Sequence, residues 1–299
     1  MKFFARVFGS FAVAISWLQL EHAMAQPSLE SLRDYSVVAS PWRGNDYGKV
    51  RLIAGYDALE RDGSTTIGVE IRLKKGWITY WRMPGASGLP PILAFDGSRN
   101  LSEHAVSWPT PERIWISGDS AVGYASTIVL PVKVDANNNL RPIVVSLDMQ
   151  FAVCREMCVP TRVRLNLAVP VRNNGAFVRK TIHYRKIKQA LESALDSSGA
   201  DVGLRIKDVS LSRVGADRVL EIELEDSVPL KRPDAFVFAP HGVRFGAPEV
   251  RMKDGERACL VRLAVFEAED QELAQGDELS IIIVDGSRRI STLKKIGSN

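Results

Sequence analysis

The sequence predicts an all-β chain: two sandwiches joined by an amphipathic helix. Three observations carry that reading. Short runs of alternating apolar and polar residues, punctuated by Gly, Pro, Asn and Asp, recur from Tyr47 to about Pro170. The period then changes to a helical one, and alternation returns from Asp201 onward. Strands alternate with period two and amphipathic helices with 3.6, so each change of period marks a change of element.

At the amino terminus, Lys2 and Arg6 precede a mostly apolar run from Phe8 to Leu20, and Ala23-Met24-Ala25 stands before Gln26. A basic start, a short apolar stretch and an A-x-A site mark residues 1–25 as a cleavable signal peptide. The run is too short for a confident membrane span, and no later stretch approaches eighteen apolar residues. The mature chain is therefore expected to be soluble, and it is long enough for two domains. Apolar content of 45% suffices for ordinary cores, and a net charge of +4 is mild. No basic cluster is interleaved with aromatics, which argues against nucleic-acid binding.

Candidate strands in the first half are Val50 to Ala54, Thr65 to Leu73, Trp77 to Trp81, Ala125 to Val134, Ile143 to Val153 and Val159 to Val169. Strands this short, with turn signals at this rate, argue for a sandwich or barrel. Two long connections separate them: Met83 to Pro91, rich in Pro and Gly, and Pro109 to Ser120, which includes Ile114, Trp115 and Ile116.

The last two candidate strands frame the stretch that carries chemistry. Val145, Leu147, Met149, Phe151 and Val153 alternate with polar residues, and Val159, Val163, Leu165 and Leu167 do so on the other side of Cys154 and Cys158. Both cysteines fall on the parity opposite the apolar one. A three-residue loop, Arg155 to Met157, sets them as a facing pair at the end of a hairpin. Opposed strand residues have Cβ atoms about 4.5–5.5 Å apart, and a disulfide needs about 3.5–4.5 Å, so a small adjustment joins them. So short a loop contributes roughly 2 kcal/mol as a staple, against about 3 for fifteen residues. Exchange instead requires an accessible sulfur, a thiolate and a resolving thiol. Arg155, Arg162 and Arg164 are placed to favour a thiolate, with Glu156 opposing. Spacing alone leaves a redox pair and a structural disulfide both open. Two sulfurs without a matching histidine or second cysteine pair do not make a zinc site.

The run Phe151-Ala152-Val153-Cys154 … Cys158-Val159-Pro160 resembles the active-site hairpin of the amino-terminal periplasmic domain of the DsbD family. Gly76-Trp77-Ile78-Thr79-Tyr80-Trp81 and Gly123-Tyr124 … Val129-Leu130-Pro131-Val132 resemble that domain as well, in the same order. Among the family's branches, the copper-sensitivity-suppressor branch ScsB is the most similar. The resemblance covers residues from about 30 to 170 and the remainder only loosely. It implies an immunoglobulin-like β-sandwich whose catalytic cysteines, Cys154 and Cys158, take electrons from a membrane-embedded reductase and pass them to periplasmic thioredoxin-like or disulfide-isomerase-like proteins. It implies Cys158 as the attacking sulfur and Cys154 as the resolving one. It also matches Pro109 to Ser120 with a cap loop over the cysteines, and Trp77 and Tyr80 with the aromatics beside them. Ordinary sandwich packing is the simpler reading of Trp77, Tyr80, Trp81 and Trp115. No organic cofactor is required, because the sulfurs carry the electrons. Full-length family members continue into a membrane channel and a thioredoxin-like domain, so a chain without them would borrow its reductant from a separate protein. Two other readings stand beside the relay. One is a Cu(I) site made by the cysteines with Met149 or Met157, since soft ligands suit that ion. The other is a non-catalytic interaction module with a structural disulfide.

Ile187, Ala190, Leu191, Ala194 and Leu195 follow helical spacing within 173–198, with Asn174 as a candidate cap and Gly199 as a terminator. Arg179, Lys180, Arg185, Lys186 and Lys188 form its expected wet side. A membrane-surface role suits so basic a helix, but an interdomain helix packed on one sandwich is the simpler reading. Beyond it, Val219 to Glu225, Ala235 to Ala239 and Ala258 to Val265 alternate as strands, and Asp285-Gly286 between strand-like flanks signals a hairpin. Cys259 shares parity with Val261, Leu263 and Val265, which places it in the core as a small hydrophobe. His104, His183 and His241 are too scattered for a metal or triad site. The expected organisation is a signal peptide at 1–25, a DsbD-type redox sandwich at 26–172, a linker helix at 173–199 and a second sandwich at 200–299.

Overall fold

The computed structural model describes residues 38–85, 88–116, 119–172, 177–194, 203–267 and 272–297. The expected signal peptide at 1–25, Asn174 and Gly199 lie outside these residues. Within them the chain is all-β and immunoglobulin-like, with one short helix.

The first sandwich comprises β1 (Arg43–Gly44), β2 (Gly48–Ala54), β3 (Ser64–Leu73), β4 (Ile78–Tyr80), β5 (Ile92–Ala94), β6 (Leu101–Val106), β7 (Glu112–Ile116), β8 (Asp119–Tyr124), β9 (Ile128–Ala136), β10 (Ile143–Cys154) and β11 (Cys158–Val169). One sheet runs β1-β2-β3-β9-β6 and the other β11-β10-β4-β8-β7, with β5 paired to β10. The alternation read from the sequence becomes the core between them. Val50, Leu52, Val69 and Ile71 from one sheet meet Leu147, Met149, Val153 and Leu167 from the other, all buried. Each such side chain contributes about 1.5–3 kcal/mol on leaving water.

Two expectations change here. The strand anticipated at Ala125 to Val134 begins at Ile128, because β8 ends at Tyr124 and a short turn intervenes. The connection from Pro109 to Ser120 is largely a β-hairpin, in which Arg113 pairs with Val122, Ile114 with Ala121 and Trp115 with Ser120. Its apolar residues are consecutive rather than alternating, because Ile114 and Ile116 pack toward the cysteine site while Trp115 between them is exposed.

The helix α1 (Tyr184–Ala194) carries the helical spacing from Ile187 to Ala194 but starts later than a cap at Asn174 implies, since residues 177–183 are not helical. Residues before it are held in extended form against the first sandwich. The Asp57 amide donates to the Arg179 carbonyl at 3.0 Å, the Thr181 amide to the Gly55 carbonyl at 3.0 Å, and Lys180 bridges to Tyr56. The Thr181 hydroxyl then accepts the His183 amide at 3.0 Å as the helix begins. Ile187 packs with Ile53 and Val129 on the outer face of the β1-β2-β3-β9-β6 sheet. Lys186, expected on the wet side, instead holds the fully buried Glu70 at 2.7 Å, opposite Arg51 at 2.7 Å.

The second sandwich comprises β12 (Arg205–Val214), β13 (Asp217–Glu225), β14 (Pro233–Phe238), β15 (Arg244–Lys253), β16 (Ala258–Phe266), β17 (Glu278–Asp285) and β18 (Arg288–Lys295). Its sheets run β12-β13-β16-β15 and β14-β17-β18 around Leu220, Ile222, Val261, Leu263, Ile281 and Ile283. Phe236 and Ile282 reach across into the first core, Phe236 meeting Trp81 edge-on at 6.3 Å. Among the described residues, no helix is long and apolar enough to cross a membrane.

Candidate functional site

The β10–β11 ladder pairs residues without a break from Ile143 opposite Val169 to Cys154 opposite Cys158. That register delivers the two cysteines to the hairpin tip as facing residues with Cα atoms 4.1 Å apart, and their sulfurs are joined. The Arg155 amide donates to the Met157 carbonyl at 3.1 Å and closes the loop between them.

The two sulfurs live in different surroundings. Cys154 is only 1% exposed, although its parity faces away from the sandwich core. It lies in a second apolar cluster on the outer face of the sheet, with Ile78, Tyr80, Ala121 and Ala152, against which Ile114 and Ile116 of β7 also pack. Cys158 is exposed. The Tyr80 hydroxyl lies 3.5 Å from its sulfur, and because that sulfur carries no hydrogen in the disulfide, the hydroxyl donates. Tyr80 is set from behind by Gly88, whose φ of +126° and missing side chain let the backbone at that residue close on the ring. A Cβ there would stand 2.5 Å from the ring. The Thr79 hydroxyl donates to the Ala152 carbonyl at 2.9 Å, tying β4 to β10 next to the pair.

Of the sequence-stated neighbours, Trp77 belongs to the sandwich core and stacks on Tyr47 at 4.0 Å, and Trp81 is buried there too. Trp115 is exposed on β7. The expected cap thus covers one cysteine rather than both: β7 walls Cys154 and leaves Cys158 open. Arg162 and Arg164 do not serve the sulfurs. Both are engaged by Asp148, Arg162 through two bonds of 2.8 Å and Arg164 through one of 2.9 Å. These hydrogen bonds hold the Asp148 carboxyl far below the usual carboxylate range. The signal was present in the sequence, since Asp148 shares parity with both arginines and stands opposite Arg164 in the ladder. Met149 is buried in the core, where it cannot reach the cysteines' face. Met157 is 67% exposed in the loop between them.

Two grooves flank the tip. One, of about 360 Å³, is lined by Leu89, Pro90, Ile92, Gln150, Pro160 and Arg162 among others. The other, of about 320 Å³, is lined by Ile78, Ile114, Trp115, Ile116, Arg155 and Glu156 among others. Cys259, in contrast, is fully buried in the second core. Burial, with the Asp285 charge adding to it, pushes its thiol up to about 11. Among the described residues, no group of three or more His, Cys, Asp or Glu side chains is placed to hold a metal.

Residues 49–170 match the family described as thiol:disulfide interchange protein DsbD, N-terminal. This stretch is a DsbD-type amino-terminal domain. Residues 201–299 match a domain of unknown function (DUF8393). No curated protein matches the chain in sequence. The crystal structure of the N-terminal periplasmic domain of ScsB from Proteus mirabilis superposes with a TM-score of 0.70 at 22% identity, covering 88% of this chain and 100% of that one. The likeness runs beyond the DsbD-type domain and shows that the fold of that ScsB domain extends over both sandwiches. A marsupial T cell receptor chain, 11% identical over 85% of this chain and 99% of that one, reaches only 0.19. The DsbD-type domain is therefore a module of the thiol–disulfide interchange family, and it carries a joined cysteine pair.

Proposed function

We propose that this chain is a periplasmic thiol–disulfide exchange protein that relays electrons through Cys154 and Cys158. They pass from a separate membrane-embedded thiol reductase to periplasmic thioredoxin-like or disulfide-isomerase-like proteins. The observation that carries the reading is the asymmetry of the pair: one sulfur exposed beside a tyrosine hydroxyl, the other buried among apolar side chains. The periplasmic location rests on residues 1–25 as a cleaved signal peptide. Residues 26–172 would be the redox domain, 173–199 the linker and 200–299 the second sandwich.

The chemistry follows from which sulfur is reachable. A reductase thiolate attacks the Cys158 sulfur, the S–S bond breaks, and Cys154 leaves with the electron pair and takes up a proton. A second thiol of the reductase attacks its own sulfur in that mixed disulfide and frees Cys158. The pair now holds two electrons. The Cys158 thiolate next attacks a partner's disulfide and expels one partner sulfur as a thiolate. Cys154, held opposite in the ladder, loses its proton and attacks the Cys158 sulfur, which re-forms the original bond and releases the partner as a dithiol. Exchange rates depend on which sulfur is attacked, on access and on the leaving thiol, so the exposed member is the one to meet partners.

In cells, a Cys154→Ser variant should accumulate mixed disulfides through Cys158, identifiable by mass spectrometry, whereas Cys158→Ser should accumulate none. Deleting the membrane reductase should leave the pair fully oxidised. If no adduct forms and the pair's redox state is unaffected by that deletion, the relay reading fails. Met157 favours one alternative: with both thiolates it would complete a soft ligand set for Cu(I) in the reduced protein. One-to-one binding in an anaerobic Cu(I) titration, lost on Met157→Leu, would favour that use of the site.

A further inference from the structure

We infer that the second sandwich positions the wall around Cys154, and that Asp234 is the residue through which it does so. The inference rests on the exchange reading above. β7 is an edge strand of five residues bonded to β8 alone. β8 in turn pairs with β4 at only two positions, Thr79 with Tyr124 and Tyr80 with Gly123, so the sheet itself gives the β7 end little support. Ile114 and Ile116 of β7 face the cluster containing Cys154, and Arg113, between β7 and the second sandwich, points the other way.

Arg113 is gripped almost entirely from β14. Its Nε donates to both Asp234 carboxylate oxygens at 3.2 and 3.0 Å. Its Nη2 donates to Asp234 Oδ1 at 2.9 Å and to the Ala235 carbonyl at 3.0 Å. Its Nη1 meets Ser120 of β8 at 3.1 Å, and the guanidinium lies over the Phe236 ring at 5.3 Å. The arginine is only 11% exposed at its side chain, so these are charge-assisted bonds shielded from solvent. Phe236 is itself embedded in the first core, so β14 is a fixed anchor. Just upstream, Thr110 is held by the Ser193 carbonyl at 2.9 Å and by Arg289 of β18 at 3.4 Å. The segment leading into β7 is thus pinned from beyond the first sandwich at two points.

Loosening this grip lets the edge strand move and admits water to Cys154. Apolar surroundings disfavour a thiolate, and a better-stabilised leaving thiolate departs faster. Asp234 therefore acts as a positioning residue that sets how readily the pair opens.

The test uses the full chain and a small dithiol, so no protein partner enters. Oxidised wild type and Asp234→Asn are treated with dithiothreitol, and the rate of disulfide opening is followed by acid quench and thiol labelling. The variant should open faster by up to about tenfold, the factor that loss of one charge-assisted bond allows. In the reduced Cys158→Ser background, Asp234→Asn should also move the pH profile of Cys154 alkylation to lower pH. A purely structural role would not cause that shift. Asp234→Glu should return both readouts toward wild type, and Glu221→Gln, which breaks the Glu221–Arg262 pair inside the second sandwich's own sheet, should change neither. If Asp234→Asn does not fold, Arg113→Lys removes the fork and predicts the same changes. A folded variant with an unchanged or slower opening rate overturns the inference. A wild-type disulfide that dithiothreitol does not open would instead overturn the exchange reading itself.

Discussion

The β10–β11 hairpin of the first sandwich and the β17–β18 hairpin of the second are built alike and finished differently. Each is a continuous antiparallel ladder that ends on a facing pair, Cys154 opposite Cys158 in one and Asp285 opposite Arg288 in the other. At the second tip the closing pair is satisfied from within. The buried Asp285 carboxylate accepts the Lys231 and Arg232 amides at 2.9 and 2.6 Å and binds the Arg288 guanidinium, which also holds Asp226 at 2.5 Å. At the first tip one residue of the pair is open to solvent, with exposed Leu89, Ile92, Trp115 and Met157 on the elements around it. The same scaffold ends in one place on an internally satisfied pair and in the other on a disulfide with one member facing outward beside two grooves, the end at which the proposed exchange would take place.

The sharpest way to break that comparison is to cross the two tips. Cys158→Ser should reduce exchange with dithiothreitol-reduced glutathione to background while lowering urea stability by only about 2 kcal/mol. Asp285→Ala should leave exchange intact yet cost about 3–5 kcal/mol, because it leaves the Lys231 and Arg232 amides without their acceptor and takes one of two carboxylate partners from Arg288. Should Asp285→Ala abolish exchange in a folded protein, the division between tips is wrong. Next in size is Gly88→Ala, where a positive φ and contact with the Tyr80 ring should cost about 1–3 kcal/mol and displace the hydroxyl from Cys158. Thermal melting and the dithiothreitol rate would read both effects.

A smaller effect comes from acid. Burial alone would raise the Asp285 carboxyl, but the Arg232 and Lys231 amides and Arg288 outweigh it, and the net direction is down from 3.8. Burial also opposes ionisation of Glu70, and there Lys186 and Arg51 likewise bring it below its ordinary 4.5. A depressed carboxyl stabilises the fold fully above its ordinary value, and that stabilisation is lost as pH falls through the lower folded value. The urea midpoint should therefore hold steady down to about pH 5 and fall below it, less steeply in Asp285→Asn than in wild type. The smallest effect belongs to Tyr80→Phe, which removes one long hydrogen bond to sulfur. It should change the opening rate about twofold without altering stability measurably.

How much of this was legible in the sequence depended on distance along the chain. The central hairpin was readable to the residue, because period-two alternation on either side of Cys154 and Cys158 fixes both parity and register. The buried position of Cys154 was not, since it needs Ile114 and Ile116 to arrive from a segment whose consecutive apolar residues hide its strand character. β5 is too brief to establish a period, and β6, mostly exposed, carries no apolar alternation to read. Arg162 and Arg164 were assigned to the cysteines when a cross-strand carboxylate on their own face, Asp148, already claimed them. Nothing local announced that Arg113 would meet Asp234, 121 positions away. A cap at Asn174 placed the helix start too early because backbone pairing of residues 179–181 with 55–57 holds that stretch out of the helix.

The ladder that brings Cys154 opposite Cys158 spans 12 residues of β10, and every rung is backbone rather than sulfur. Opening the bond removes none of those rungs. Under the proposed exchange, two electrons would enter and leave while the frame stays put, so a partner would meet the same surface in either state and little motion would have to accompany each transfer.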